Sequence, residues 1–361
     1  MYSITLLVCL VLLFNFLNCE LVALVVIYRH GSRGPVLMYN NDPYKKNYRE
    51  IWPQGFQQLT NRGKNQQFAL GKWYRRHYKD FIPTEYHHEF TRVMSSDVDR
   101  CLMSAASNLA GLFPPRGEQV WTKSIPWQPI PIHTTPYEED PVLAVGKPCP
   151  KHAELMAKFK EQEEYRSYFE KMRPAIDYIL KKSGETSDEM AEIIHDTLFV
   201  ESYFDLPLPK WTNRVFPNIT WSLMSYAMRL PIATPQLTRL KAGPVVDYIT
   251  SFFEKVTKNP EESQKFLMLS AHDITLVYLL QALGLYDGSW PEYASSVNFE
   301  LHSTGVGEDE KYLDIYFKNS TVYQKLTLEK CGAQCEFSEF TRLIDDVRMS
   351  PENWQKECFN V

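Results

Sequence analysis

The run Leu21-Val22-Ala23-Leu24-Val25-Val26-Ile27-Tyr28 constrains this chain more than any other feature, because eight consecutive apolar residues leave no polar face. Such a run suits a strand buried on both sides, as inner strands of a parallel sheet are. It stops abruptly at Arg29-His30-Gly31-Ser32-Arg33-Gly34-Pro35, where two glycines and a proline predict a tight loop. A second strand of this kind is expected over 266–270. It is followed by Ala271-His272-Asp273 and an apolar helix over 274–283.

Between these two strands the pattern changes twice. Residues 59–78 read as an amphipathic helix with Thr60 as its cap and Phe68, Leu70 and Trp73 on its apolar side. A second helix is expected from about 97 to 112, stopped by Pro114-Pro115. From about 126 to 235 strand-like runs disappear, and charged helical stretches take over at 154–182 and 187–199. Meander strands are expected at 297–302, 312–317 and 322–328. The chain therefore reads as an α/β domain built from 20–125 and 236–361, with a mainly helical insertion or cap at 126–235. A length of 361 residues suits one large domain with such an insertion, or two domains.

The chemistry follows from where the strands end. Open α/β sheets bind ligands at the carboxyl ends of their strands. If the two inner strands are neighbours, Arg29, His30 and Arg33 meet His272 and Asp273 at one edge. Guanidinium groups bind phosphate oxygens bidentately and stay charged at every relevant pH. An imidazole among arginines has its pKa lowered, so a ring nitrogen keeps its lone pair in acid. An aspartic acid beside the leaving oxygen can donate a proton. The set suits phosphoryl transfer without a metal or other cofactor, because the arginines stabilise the charge. The net charge of −5 argues against a nucleic-acid partner, so any anion must be held by a local cluster of cations.

Residues 1–19 read as a secretory signal peptide, with an apolar run over 4–16 and cleavage near Cys19. An uncleaved anchor is the rival, but the run is short for a span. The expectation is a secreted protein without a membrane partner in its mature form, and a lysosome-like compartment is the lesser alternative. Of the seven cysteines, Cys9 and Cys19 would leave with the signal. Cys331 and Cys335 can close a small loop, Cys149 and Cys358 remain as the long-range pair, and Cys101 is expected to be a buried free thiol. Zinc at Cys331 and Cys335 lacks further ligands nearby. Asn218 and Asn319 open glycosylation sequons.

The loop Arg29-His30-Gly31-Ser32-Arg33-Gly34-Pro35 resembles the signature of the histidine acid phosphatases, the family that includes the prostatic, lysosomal and insect venom acid phosphatases. Segments 52–60, 96–105, 127–133 and 270–273 are similar to that family as well, so the resemblance covers nearly the whole mature chain. It implies a mainly parallel central sheet flanked by helices, with a smaller helical insertion. It implies His30 as a nucleophile that becomes phosphorylated, Arg29, Arg33 and Arg100 as a phosphate clamp, His272 as a further donor, and Asp273 as the general acid. Spacing alone does not select Arg100, since an arginine on a helix is usually at the surface. The resemblance also implies a small phosphorylated substrate and suggests a homodimer. In this setting Asp97 and Asp99 are expected to orient Arg100 and cap its helix. Ser32 stands where this branch usually has Asp, and Cys101 where it usually has Thr. A further disulfide of the vertebrate members is replaced here by Val200 and Ser296, with both partners absent together.

Two rival functions share this pattern. One is a secreted protein that keeps the fold but holds a small ligand in the pocket. The other is a phytase-like or mutase-like enzyme with the same histidine chemistry, the mutase being disfavoured by the signal and the disulfides. Fold alone does not separate them. The presence of Asp273 favours catalysis, since a binder has no need of a proton donor.

Overall fold

In the computed structural model β1 (Glu20–Arg29) is buried from Ala23 onward, and its side chains alternate between two cores. Ala23, Val25 and Ile27 face one, Leu24, Val26 and Tyr28 the other. That two-sided burial is why the strand has no polar face. The structure describes residues 20–360 apart from 145, 305–309 and 333. The expected signal segment, with Cys9 and Cys19, lies outside the described residues.

The other strands are β2 (Thr91–Ser96), β3 (His133–Thr135), β4 (Phe266–Ala271), β5 (Ser296–Ser303), β6 (Lys311–Lys318), β7 (Tyr323–Leu326) and β8 (Cys335–Glu336). They form one sheet in the order β3-β2-β4-β1-β5-β6-β7, with β8 beside β6. Pairing is parallel across β3-β2-β4-β1 and antiparallel from β5 onward. The expected parallel arrangement thus describes one half of a mixed sheet. In the other half β5, β6 and β7 follow one another with fewer residues between them than a parallel crossover needs. The sheet also reaches into the 126–235 stretch, which was expected to lack strands. There β3 pairs Met94 with His133 and Ser96 with Thr135. A three-residue edge strand reading His-Thr-Thr has no apolar run to announce it.

After a single turn at α1 (Tyr48–Ile51), α2 (Asn61–His77) and α3 (Asp99–Leu112) cover one face of the sheet. Thr60 caps α2 by accepting from the Gly63 N–H. The buried face of α2 is Gly63, Gln67, Leu70, Gly71 and Tyr74, while Phe68, expected inside, is exposed. A Cβ on Gly71 would lie 2.0 Å from the Asn108 carbonyl oxygen, so α2 and α3 touch backbone to backbone there, and the inward face of α2 is set by small residues. On the opposite face lie α8 (Pro235–Lys258), α9 (Asp273–Ala282) and α10 (Phe337–Leu343). A disulfide joins Cys149, at the start of α4 (Pro150–Lys160), to Cys358 in α11 (Pro351–Phe359). A second joins Cys331 to Cys335, and Cys101 is a buried free thiol.

Helices α5 (Glu163–Ser183), α6 (Asp188–Tyr203) and α7 (Asn218–Arg229) gather around a core of their own that includes Ile176, Ile179, Ile194, Leu198 and Leu223. Tyr39, from the segment after the Arg33 loop, is inserted into it. Beside Tyr39 two buried carboxyls meet, Asp42 and Glu201 of α6. Tyr44 and Lys45 are the other titratable groups near the pair. Burial and the neighbouring Asp42 push Glu201 up to about 9, so the pair shares a proton through most of the physiological range. A carboxyl whose folded pKa is raised stabilises the fold fully below its unfolded value of 4.5, and that stability is lost as the pH climbs to about 9. The melting temperature is therefore expected to fall between pH 5 and pH 8. Glu201→Gln, whose amide donates to Asp42 without titrating, is expected to reduce that fall by several degrees in thermal melts. An undiminished fall in the variant contradicts the shared proton.

Candidate active site

His30 sits one residue beyond β1, with its backbone held on both sides. Its N–H donates to the Ala271 carbonyl at 3.0 Å, and its own carbonyl accepts from the Ala294 N–H at 3.2 Å. The loop that follows can rest on the start of α2 because Gly31 and Gly63 meet without side chains. A Cβ on Gly31 would lie 2.2 Å from the Gly63 carbonyl oxygen. The residue is 2% exposed, and Nδ1 lies 2.8 Å from the Gly31 carbonyl oxygen. A carbonyl can only accept, so Nδ1 carries the hydrogen and the lone pair is left on Nε2. Burial, then Arg100, Arg29, His272 and Arg33, hold the imidazole well below its usual pKa. The ring is therefore held neutral, with its lone pair on Nε2.

Each of the three arginines reaches this ring from a different element. Arg29, the last residue of β1, donates through Nη1 to the Pro291 carbonyl at 2.7 Å and pairs through Nη2 with Asp273 Oδ2 at 2.7 Å. Its guanidinium lies 4.1 Å from the centre of the Tyr293 ring. Arg33 forms a fork with Asp196 of α6, Nη1 to Oδ2 at 3.0 Å and Nη2 to Oδ1 at 2.7 Å. Arg100, in the first turn of α3, donates to Gln57 Oε1 at 3.4 Å and to His272 Nδ1 at 3.3 Å. The Nε–H of every one of these arginines is buried and finds no acceptor among the described residues. Buried donors are almost always paired, so three orphans on guanidinium groups whose charges all act on His30 suit an anion.

His272 and Asp273 arrive together at the end of β4 and the start of α9. His272 caps α9, its side chain accepting from the Thr275 N–H. Because Nδ1 also accepts from Arg100, the hydrogen resides on Nε2, which faces Ser96 Oγ at 3.1 Å. Burial and Arg100 lower its pKa to about 3. Cys101 lies against this ring at 3.6 Å and is held neutral by burial, which pushes its thiol up to about 12. Asp273 accepts from the Ile274 N–H at Oδ1 and from the Trp290 indole N–H at Oδ2, 3.2 Å away. Burial alone would raise its pKa, but Arg29, Arg33 and His272 hold it down to about 2.

The structure thus gathers Arg29, His30, Arg33, Arg100, His272 and Asp273 into one site. It also supplies residues that motif reading does not select, namely Asp196, Trp290 and Tyr293. Asp196 is 163 positions from its partner Arg33, and nothing local distinguishes it from other helix carboxylates. The Asp97 and Asp99 expectation fails. Asp99 accepts from Gln58, the cap position of α3 is Val98 with no side-chain bond, and Arg100 takes its partners from Gln57 and His272 instead. Ser32, at the departure from the usual Asp, is buried and bonded to Thr60 Oγ1 at 3.0 Å. No group of three or more His, Cys, Asp or Glu among the described residues could hold a metal ion.

A neutral imidazole with a free lone pair, orphaned guanidinium donors and a carboxyl paired with one of them form a set that can transfer a phosphoryl group. Residues 20–199 and 222–319 match the model of the histidine phosphatase superfamily (branch 2). Prostatic acid phosphatase of Bos taurus is 34% identical over 94% of this chain and 88% of its own length. Lysosomal acid phosphatase of Homo sapiens is 37% identical over 92% of this chain and 79% of its own. Among solved structures, the phytase of Citrobacter braakii superposes with a TM-score of 0.66 over 94% of this chain and 99% of its own, at 18% identity, a likeness of fold. With its fold and its relatives in agreement, this chain belongs to branch 2 of the histidine phosphatase superfamily and is a histidine acid phosphatase, a phosphoric monoester hydrolase.

Proposed function

We propose that the enzyme cleaves small phosphate monoesters in two displacements through a phosphohistidine at His30, without a metal. The observation that carries this reading is the trio of orphaned Nε–H donors, on Arg29, Arg33 and Arg100, around an imidazole whose Nε2 is unprotonated. In the first displacement the Nε2 lone pair attacks phosphorus, the bond to the ester oxygen breaks, and Asp273 gives that oxygen a proton. In the second, water attacks phosphorus, its proton passes to the Asp273 carboxylate, and the P–N bond breaks to return a neutral His30 and free phosphate. The arginines bind the non-bridging oxygens throughout, and His272, its Nδ1 accepting from Arg100 and its Nε2–H facing Ser96, keeps the Arg100 guanidinium turned toward them.

The ion pairs explain why acid is needed. Asp273 and Asp196 offset two of the three guanidinium charges, which leaves about one net positive charge for the substrate. A monoanionic ester matches that charge and brings the proton that Asp273 lacks when held at about 2. Phosphate monoesters lose this second proton near pH ~6.

Secretion after removal of residues 1–19 is part of this reading, supported by the two disulfides. No helix among the described residues is long and apolar enough to cross a membrane. Asn218 is exposed at the start of α7 and suits glycosylation, and Asn319 lies half-buried in the turn before β7. The separate core of α5, α6 and α7 supports reading 126–235 as a cap over the site. A homodimer is supported by exposed Val120, Trp121, Ile125 and Trp127.

Three outcomes are expected. His30→Ala should lower turnover of p-nitrophenyl phosphate by at least ~10³-fold in folded protein, with no phosphoenzyme trapped by acid quench. If folded wild-type protein shows no turnover at any pH, the ligand-holding alternative takes its place. Asp273→Ala should slow alkyl phosphates, whose leaving oxygens need a proton, by about 10²-fold or more, and p-nitrophenyl phosphate far less. Equal losses on both would contradict the acid role. In a pH profile from 3 to 9 with EDTA present, kcat/KM should persist in acid, because the His30 pKa is depressed, and should fall above about pH 6 as the ester loses its proton.

A further inference from the structure

The two oxygens of Asp273 are held in different ways. Oδ1 is occupied by the Ile274 N–H at 2.8 Å, within the first turn of α9. Oδ2 accepts from outside the helix, from Arg29 Nη2 at 2.7 Å and the indole N–H of Trp290 at 3.2 Å, and so lies on the side of an arginine that would bind phosphate. The two differ in kind. Arg29 carries a charge that favours the ionised carboxylate, and a bound phosphate competes for that charge. The indole is neutral and can only donate, so it holds the direction of Oδ2 without placing a full charge beside it.

Trp290 is itself held from both sides. Its ring meets Trp221 of α7 edge to face, with centroids 5.6 Å apart, and it packs against the cluster that contains Val277 and Tyr278 of α9. The chain just beyond it is tied to the site as well, since the Pro291 carbonyl accepts from Arg29 and Tyr293 lies under the same guanidinium. A side chain fixed in this way is suited to hold a carboxyl in one rotamer.

We infer that Trp290 is the positioning residue for the proton donor: its indole N–H keeps Asp273 Oδ2 turned toward the leaving oxygen when the arriving phosphate draws on Arg29. Its contact with Trp221 makes that alignment depend on the seating of α7. The inference rests on the reading of Asp273 as the general acid.

The test is a series of monoesters running from p-nitrophenyl phosphate to alkyl phosphates, with kcat and KM measured for wild type, Trp290→Phe, Trp290→Leu and Asp273→Ala. Trp290→Phe keeps an aromatic ring against Trp221 and removes the N–H. Trp290→Leu removes both and provides a second folded variant without the donor. Both tryptophan variants are expected to lose about ten-fold in kcat on alkyl phosphates, as for one lost neutral hydrogen bond, and at most a few-fold on p-nitrophenyl phosphate. KM and inhibition by inorganic phosphate should stay near wild type. A loss of the same size on every ester, or one confined to KM, overturns the inference and leaves Trp290 as a packing residue. If Asp273→Ala shows no dependence on the leaving group, the acid assignment has failed and the inference falls with it. If Asp273→Ala shows that dependence and the tryptophan variants do not, only the inference fails.

Discussion

Six parallel pairings between β1 and β4, from Leu24 with Phe266 to Arg29 with Ala271, set the position of everything else in the site. They bring the ends of two strands level, although more than two hundred residues separate them, so that the first polar residue after each can meet. One more hydrogen bond, from the His30 N–H to the Ala271 carbonyl, extends the ladder past the last strand residue. His30 and His272 then face each other at 5.7 Å between ring centroids. A slip of one residue would turn Val25 and Ile27 into the opposite core and point the histidine away from its partners. The register is secured because both faces of β1 are buried, one against α8 and α9, the other against α2 and α3.

The electrostatics depend on the same geometry. Burying three arginines close together is costly unless the charges are compensated. The fold compensates two of them with carboxylates from distant segments, Asp273 for Arg29 and Asp196 for Arg33, each at 2.7 Å. The terminal nitrogens satisfy the protein, and the Nε–H groups remain for a guest. On the proposed reading the site is thereby preorganised for phosphate while carrying little net charge of its own. That explains how a chain with a formal charge of −5 can bind an anion without a basic surface.

Local pattern made much of this legible, and its limits are equally physical. The runs of β1 and β4, the Thr60 cap of α2 and the His-Asp step into α9 are signals carried by neighbouring residues, and each element stands where those signals put it. Arg100 became a candidate only through family resemblance, because a helix arginine looks the same whether it faces solvent or a pocket. Asp196 and Tyr293 act across long separations that no spacing rule reaches, and Trp290 reaches Asp273 from a loop with no motif of its own. Phe68 was misplaced because the helix contact is made through Gly71, which has no side chain to weigh in an apolar pattern. The strand β3 was missed for a related reason: an exposed edge held only by backbone pairing needs no apolar residues.

The loop that carries Trp290, Pro291 and Tyr293 has a consequence in time as well as in space. Arg29 and His30 are among the first residues of the described chain to be made, yet the carboxylate, the carbonyl and the ring that hold Arg29 come from residues 273, 291 and 293. Until the ribosome has released most of the polypeptide, His30 and the arginines beside it in the chain exist without the partners that orient them. A nascent or truncated chain therefore contains the signature loop but not the catalyst. The phosphatase comes into being late in synthesis, when the segment before β5 closes over a strand made more than two hundred and fifty residues earlier.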